Sequence, residues 1–447
     1  MRLAAAPARA RVLALVLALT LAGGVTTAVV WQSSEQAEAG PSQAAQSADD
    51  PRQERVPESS PEERAVQALL DARAQAVLSS DRAAFLATVD PENRRFRREQ
   101  GRILDALAGV PLTTWSYELE TGPLATQPSS ALVDWEGQPR TMNVTFRYAL
   151  RGADADRDGT PRSITFVKRG GRIRIVADEA RDFSGARQRY LWEEGPVAFA
   201  EGRRSLVLGH PGSEGELRRL ADEVDAAVPR VSAVWGRDWS RRVTVVLPGT
   251  QREFARLTMR DEDDVADVAA TATSEREVQA DDVKVAKVFL NPLVLRRLDA
   301  TARRVALTRQ ITHVAAWSSF GRATPTWFAD GLAEYVAYRG SGFTPSQLAR
   351  TLGPRVRAGQ VPDELPTEED FYGGEARAYA AYEGSRLAVE LLVERYGTVR
   401  TVRLYRAIGA AEQHSTLVLD AELDDVLGTS TNKLTKAWRA YLVSQLG

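Results

Sequence analysis

Ala302-Arg303-Arg304-Val305-Ala306-Leu307-Thr308-Arg309-Gln310-Ile311-Thr312-His313-Val314-Ala315-Ala316-Trp317, followed by Pro325-Thr326-Trp327-Phe328-Ala329-Asp330-Gly331-Leu332-Ala333-Glu334-Tyr335, is the stretch that decides the fold. Apolar residues recur through it at helical spacing. Residues four apart share a helix face, so Arg309 lies with His313 and Asp330 with Glu334. A guanidinium stays protonated and has no lone pair to offer a cation. Gln310 has the size of Glu but cannot accept a proton, so it cannot act as a general base. Asp330 has a carboxylate on a short stem. The other two His, His210 and His414, lie far off in no ligand-like spacing.

The two segments resemble the active-site stretch of the gluzincin metallopeptidases, specifically the peptidase-MA-like family of actinobacterial envelope proteins. In that family the first segment reads H-E-x-x-H and the second W-x-x-E-G-L-A-E-Y. The two His and the Glu before Gly bind zinc, and the Glu between the His polarises the attacking water. The resemblance puts Arg309 at the first His, Gln310 at the base and Asp330 at the third ligand, and keeps His313. It makes Glu334 the carboxylate that orients the first ligand, and it places Tyr382 where gluzincins put an oxyanion-stabilising hydroxyl. These exchanges imply a degenerate site with no catalytic residue and no metal. They also predict that Arg309 pairs with Asp330 or Glu334, bridging the two helices in place of zinc.

The resemblance extends from Val197 to the carboxyl end. Arg204–Gly209 reads as a strand, followed by a helix capped at Ser213, and Arg242–Pro248 as a buried strand. Val268–Ala272 and Val283–Asn291 supply further sheet, the latter ending in Asn291-Pro292 as the family's edge strand does. In the family that edge pairs with substrate backbone. A long helix bearing Tyr379 and Tyr382 runs to Tyr396-Gly397, and the helices after it read as core.

Upstream, Ser60-Pro61-Glu62-Glu63 is a capping box with Pro at the first helical position. Helices follow with Val66, Leu70 and Val77, then Phe85 and Leu86 after Asp81, then Phe96, Leu104 and Leu107. The period then switches to two at 115–119, 131–135, 142–148, 163–167 and 172–176, with Gly170-Gly171 as a hairpin signal. Helices then a meander make an α+β domain. It resembles the cone fold of the nuclear-transport-factor type, with a pocket expected among Trp115, Tyr117, Phe146 and Tyr148. Asp154, Asp156, Asp158 and Gly159 open like a calcium loop, but Thr165 stands where its Glu belongs, which favours a polar hairpin tip. Arg94, Arg95, Arg97, Arg98 and Arg102 around Phe96 read as a solvated helix face, with an anionic surface as the alternative partner.

The chain has 447 residues, formal net charge −2 and no Cys. A nearly neutral balance gives no field to recruit nucleic acid. The lack of Cys excludes disulfides, thiol catalysis and Cys-ligated zinc. Residues 12–31 carry no charge and follow Arg2, Arg9 and Arg11, matching the roughly 20 residues of a membrane span. The sequence thus predicts an α+β protein in four parts: a transmembrane anchor or signal segment (1–31), a linker (32–60), a cone-fold domain (61–185) and a peptidase-MA-like domain (196–447). The expected role is a membrane-anchored, extracytoplasmic, inactive gluzincin homologue that binds a peptide, a cell-wall component or an envelope protein, without cofactor. The alternatives are an active zinc metallopeptidase using His313, Asp330 and Glu334, and a structural spacer. His313 without its partners reads as a hydrogen-bonded core histidine, Trp327 as a packing residue, and Glu375 as a substitute base whose placement the sequence leaves open.

Overall fold

The computed structural model describes residues 60–120, 137–152, 159–180, 189–274, 286–321, 323–411 and 416–447. Its first unit opens with helix α1 (Pro61–Leu78). Ser60 Oγ accepts the Glu63 N–H and the Glu63 carboxylate accepts the Ser60 N–H, so two amides that a helix start leaves orphaned are satisfied. Asp81 caps α2 (Arg82–Ala87) by accepting the Ala84 N–H, and Asn93 caps α3 (Arg94–Leu107) by accepting the Phe96 N–H. Strands β1 (Leu112–Leu119), β2 (Arg140–Leu150), β3 (Gly159–Arg169) and β4 (Arg172–Ala180) then form an antiparallel meander in sequence order. Gly170 and Gly171, at φ 55° and 72°, make the β3–β4 turn, a conformation that side-chain-bearing residues resist. Alternation sends Trp115, Tyr117, Phe146 and Ile164 to one face, where they pack against Val66, Leu70, Phe85 and Leu104 of the helices.

The pocket expected on that sheet is closed from the other side. Tyr190 and Trp192, at the start of the short helix α4 (Leu191–Glu194), stack with ring centroids 4.9 Å apart. Trp192 lies 5.8 Å from Trp115 and 5.0 Å from Tyr148. A cavity of about 20 Å³ remains, lined by Arg73, Gln100, Arg162, Asp178 and Glu193 among others, enough for about one water. Residues 190–192 carry no periodic signal that would place them against this sheet.

The second unit is built on a five-stranded sheet of β5 (Ala198–Glu201), β6 (Ser205–Gly209), β7 (Val243–Val246), β8 (Ala270–Ser274) and β9 (Ala286–Leu290). Its order is β5-β6-β7-β9-β8, with β6, β7 and β9 parallel and both outer strands antiparallel. The edge beside the candidate site is therefore β8, and the expectation of an edge at 283–291 is corrected. β9 has its apolar residues split between two faces. Val288 and Leu290 meet one core with Val207 and Val245, while Phe289 meets the other with Leu206, Leu208 and Val246. A strand buried on both faces is a central strand. The second of these cores is continuous with that of the first unit, and Val197 N–H donates to Ala106 O across the join.

Helix α5 (Glu214–Trp235) follows β6. After it come α6 (Gln251–Leu257), α7 (Pro292–Leu295), α8 (Ala300–Ala316) and α9 (Thr326–Tyr338). The chain ends in α10 (Pro345–Leu348), α11 (Leu352–Arg357), α12 (Glu368–Tyr372), α13 (Glu375–Tyr396), α14 (Thr398–Gly409), α15 (Thr416–Leu427) and α16 (Thr431–Leu446). Helix α8 is buried almost all round, between the sheet and α9. Gly331 lets α9 approach α13 closely, since a Cβ there would stand 2.5 Å from Ser385 O.

The expected transmembrane helix is corrected. Among the described residues no helix is long and apolar enough to cross a membrane. The longest, α5 and α13, each carry charged residues along their length, with the apolar positions gathered against the core. Residues 12–31, on which the expectation fell, lie outside the described residues, as do the 32–59 part of the expected linker, the expected strand at 131–135, Asp154 to Asp158 and His414.

Glu383 ties α13 to the start of α11, accepting the Thr351 and Leu352 N–H groups at 3.1 and 2.6 Å. Burial pushes its carboxyl up to about 7, against those N–H groups and Arg386, which favour the charged form. A folded pKa above the unfolded one means that the folded chain holds this proton more tightly. The stability it contributes is complete below pH 4.5 and lost as pH rises through about 7. Denaturant unfolding across that window should show a declining component that Glu383→Gln flattens.

Candidate functional site

Helix α8 starts at Asp299, whose carboxylate accepts the Ala302 N–H at 2.8 Å. Ten residues on, Arg309 emerges toward α9 with no exposed surface at all. Its Nη2 donates to Asp330 Oδ1 at 2.5 Å, and its Nε lies 2.8 Å from Glu334 Oε1, a close ion contact whose N–H is not aligned on the oxygen. One guanidinium thus reaches both carboxylates of the i, i+4 pair on α9. The Tyr382 ring on α13 lies 5.4 Å from its centre. His313, one turn further along α8, approaches Asp330 only to 3.5 Å.

The electrostatics follow from burial and charge. Burial works against the Arg309 guanidinium, but Asp330 and Glu334 outweigh it and hold its pKa above the ordinary value. Burial pushes Glu334 up, with Arg309 and Arg386 pulling the other way. Burial likewise lowers His313 more than Asp330 raises it, so the imidazole is neutral beside the cation. Burial raises the Tyr382 hydroxyl, which stays protonated. The cluster therefore has a permanently charged guanidinium at its centre.

Gln310 points away from this cluster, at the sheet. Its amide donates to Ala270 O at 3.1 Å and accepts the Ala272 N–H at 2.9 Å, joining α8 to β8. Sequence reading missed this contact because its partners are backbone atoms about forty residues away. It also missed Arg386, buried on α13 one turn after Tyr382, whose Nη1 donates to Glu390 at 2.7 Å. Spacing from Tyr382 on a long helix was the available signal.

Other singled-out residues stand apart. Trp327 is buried and stacked on Phe328. Glu375 accepts the Tyr379 hydroxyl at an exposed helix start. His210 sits between Pro196 O and Glu253. On α3, Phe96 packs on the core while Arg97 donates to Leu86 O. Cavities of about 450 Å³ (Leu352, Arg355, Pro366, Trp438) and 610 Å³ (His210, Ser213, Pro248, Arg296) are lined by none of the cluster residues.

A gluzincin zinc centre does not fit these residues. The ligand position on α8 is a cation that already fills the gap between the carboxylates, and no lone pair replaces the one it lacks. Among the described residues no group of three His, Cys, Asp or Glu is placed to hold a metal ion.

No protein-family model matches the chain, and no curated protein sequence matches it. Among solved structures it is similar to an M1 zinc metallopeptidase from Deinococcus radiodurans, at 14% identity and TM-score 0.31, over 75% of this chain and 71% of that one. A point mutant of the M1 zinc metallopeptidase from that organism matches at 14% identity and TM-score 0.32, over 76% and 73%. The mutant bound to a Tyr-Ser-Ala substrate matches at 14% and 0.30, over 74% and 70%.

Removing one partner of a buried, hydrogen-bonded ion pair leaves the other charge uncompensated. Arg309→Ala should destabilise by about 3 kcal/mol in denaturant unfolding. Gln310→Ala should cost roughly 2 kcal/mol, because it leaves two buried backbone groups unpaired.

Proposed function

We propose that this chain is a gluzincin-like protein that has given up zinc-dependent hydrolysis and works by binding, with a peptide as its ligand. The observation that carries this reading is the Arg309 guanidinium held between Asp330 and Glu334. It supplies the positive charge that a metal would bring, but no open coordination position and no bound water to activate. Gln310, at the place of the base, has no proton-accepting nitrogen or carboxylate and is committed to β8. The metallopeptidase alternative, with metal on His313, Asp330 and Glu334, requires the guanidinium to leave a closed, buried cluster, which costs several kcal/mol.

Metal analysis and a peptide-cleavage assay test the proposal. The purified protein should hold no stoichiometric zinc and cleave no peptide with zinc added. The combined variant Arg309→His, Gln310→Glu, Asp330→Glu should gain zinc binding. Tight stoichiometric zinc, or zinc-dependent cleavage by the unmodified chain, would refute it.

A further inference from the structure

Two turns of the second sheet repeat one pattern, Pro-Gly-hydroxyl. Pro211-Gly212-Ser213 follows β6 and Pro248-Gly249-Thr250 follows β7, while the turn after β9 leads into Pro292. Strands β6, β7 and β9 are parallel, so the three turns leave the sheet at the same end. The crevice outside the carboxyl ends of parallel strands is where open sheets receive ligands. Here the turns surround the cavity of about 610 Å³, and each contributes its proline to the lining. A proline ring fixes φ and offers no N–H, so the rim is stiff and its surface apolar. Leu247, Leu295 and Leu298 add further apolar wall. The volume suits a small organic molecule taken up without rearrangement.

The charges around the cavity decide which kind. The Arg303 guanidinium is buried and donates to Glu216 at 2.8 Å and to Glu223 at 3.1 Å, and Arg219 pairs with the same two carboxylates. Those charges cancel. Both ring nitrogens of His210 face acceptors, Pro196 O at 2.7 Å and the Glu253 carboxylate at 3.1 Å. The start of α5 is answered as well, because the Glu214 carboxylate accepts the Gly212 N–H at 2.9 Å. Among the described residues lining the cavity, the remaining charge is Arg296, which is exposed and makes no ion pair with a described residue. One planar guanidinium beside apolar walls matches a carboxylate. A phosphate would bring more charge than one cation answers, close to Glu216 and Glu223.

We propose that this cavity binds a small organic acid, with its carboxylate on Arg296 and its apolar body against Leu247, Leu295 and the prolines. None of the residues around Arg309 lines it, so this second site is independent of the reading given to that cluster.

Ligand-observed NMR on the full chain tests the proposal. The probes are benzoate, cyclohexanecarboxylate and hexanoate, with benzyl alcohol as an uncharged counterpart and inorganic phosphate as the rival anion. At least one acid should bind the wild type at millimolar concentration, and Arg296→Gln should weaken that binding about tenfold. Arg296 is exposed, so this variant should fold as the wild type does. Arg297→Gln removes an adjacent exposed charge that does not line the cavity, and should leave the affinity unchanged. Benzyl alcohol should bind more weakly than benzoate and be indifferent to either variant. Binding of none of the acids, an equal loss in the two variants, or displacement of the acid by phosphate at equal concentration overturns the proposal.

Discussion

A buried guanidinium must have its charge answered, and in this protein that requirement organises the helices around the site. Arg309 is wholly buried and fully charged, so α9 has to present carboxylates to it. Asp330 and Glu334 do so from one face. For α9 to sit there it must also press against α13, which Gly331 allows by leaving room for the Ser385 carbonyl. Helix α13 in turn brings Tyr382 over the guanidinium and Arg386 toward Glu334. Three helices are fixed by one cation, as they would be by a metal, but the cation is covalently part of the chain and offers no reactive position.

Local chemistry made much of the fold legible. The Ser60–Glu63 box, the Asp81 cap, the Gly170-Gly171 turn and the buried run at Val243–Val246 each act over a few residues, and each lies where the sequence puts it. Strand order was not legible, because it depends on which faces find partners. Ala286–Leu290 reads as an apolar run whether central or at an edge, and only the second core behind Phe289 makes it central. The cone pocket failed for a similar reason. Tyr190 and Trp192 fill it from a segment that carries no periodic signal of its own.

At the site, side-chain chemistry was legible and backbone partners were not. The i, i+4 spacing of Asp330 and Glu334, set against an Arg, is enough to bring the three together. Nothing in the sequence near Gln310 points to Ala270 and Ala272. Arg309 joins α8 to α9 and Gln310 joins α8 to β8, so one turn of α8 is a fastening on both sides.

The central claim is that Arg309 and Asp330 are energetically one unit, and a double-mutant cycle measures that directly. Urea unfolding of the wild type, Arg309→Met, Asp330→Asn and the double variant should give a coupling of about 2 kcal/mol, with the double variant much less destabilised than the two single losses added together. Single effects that simply add, to within about 0.5 kcal/mol, would contradict the account.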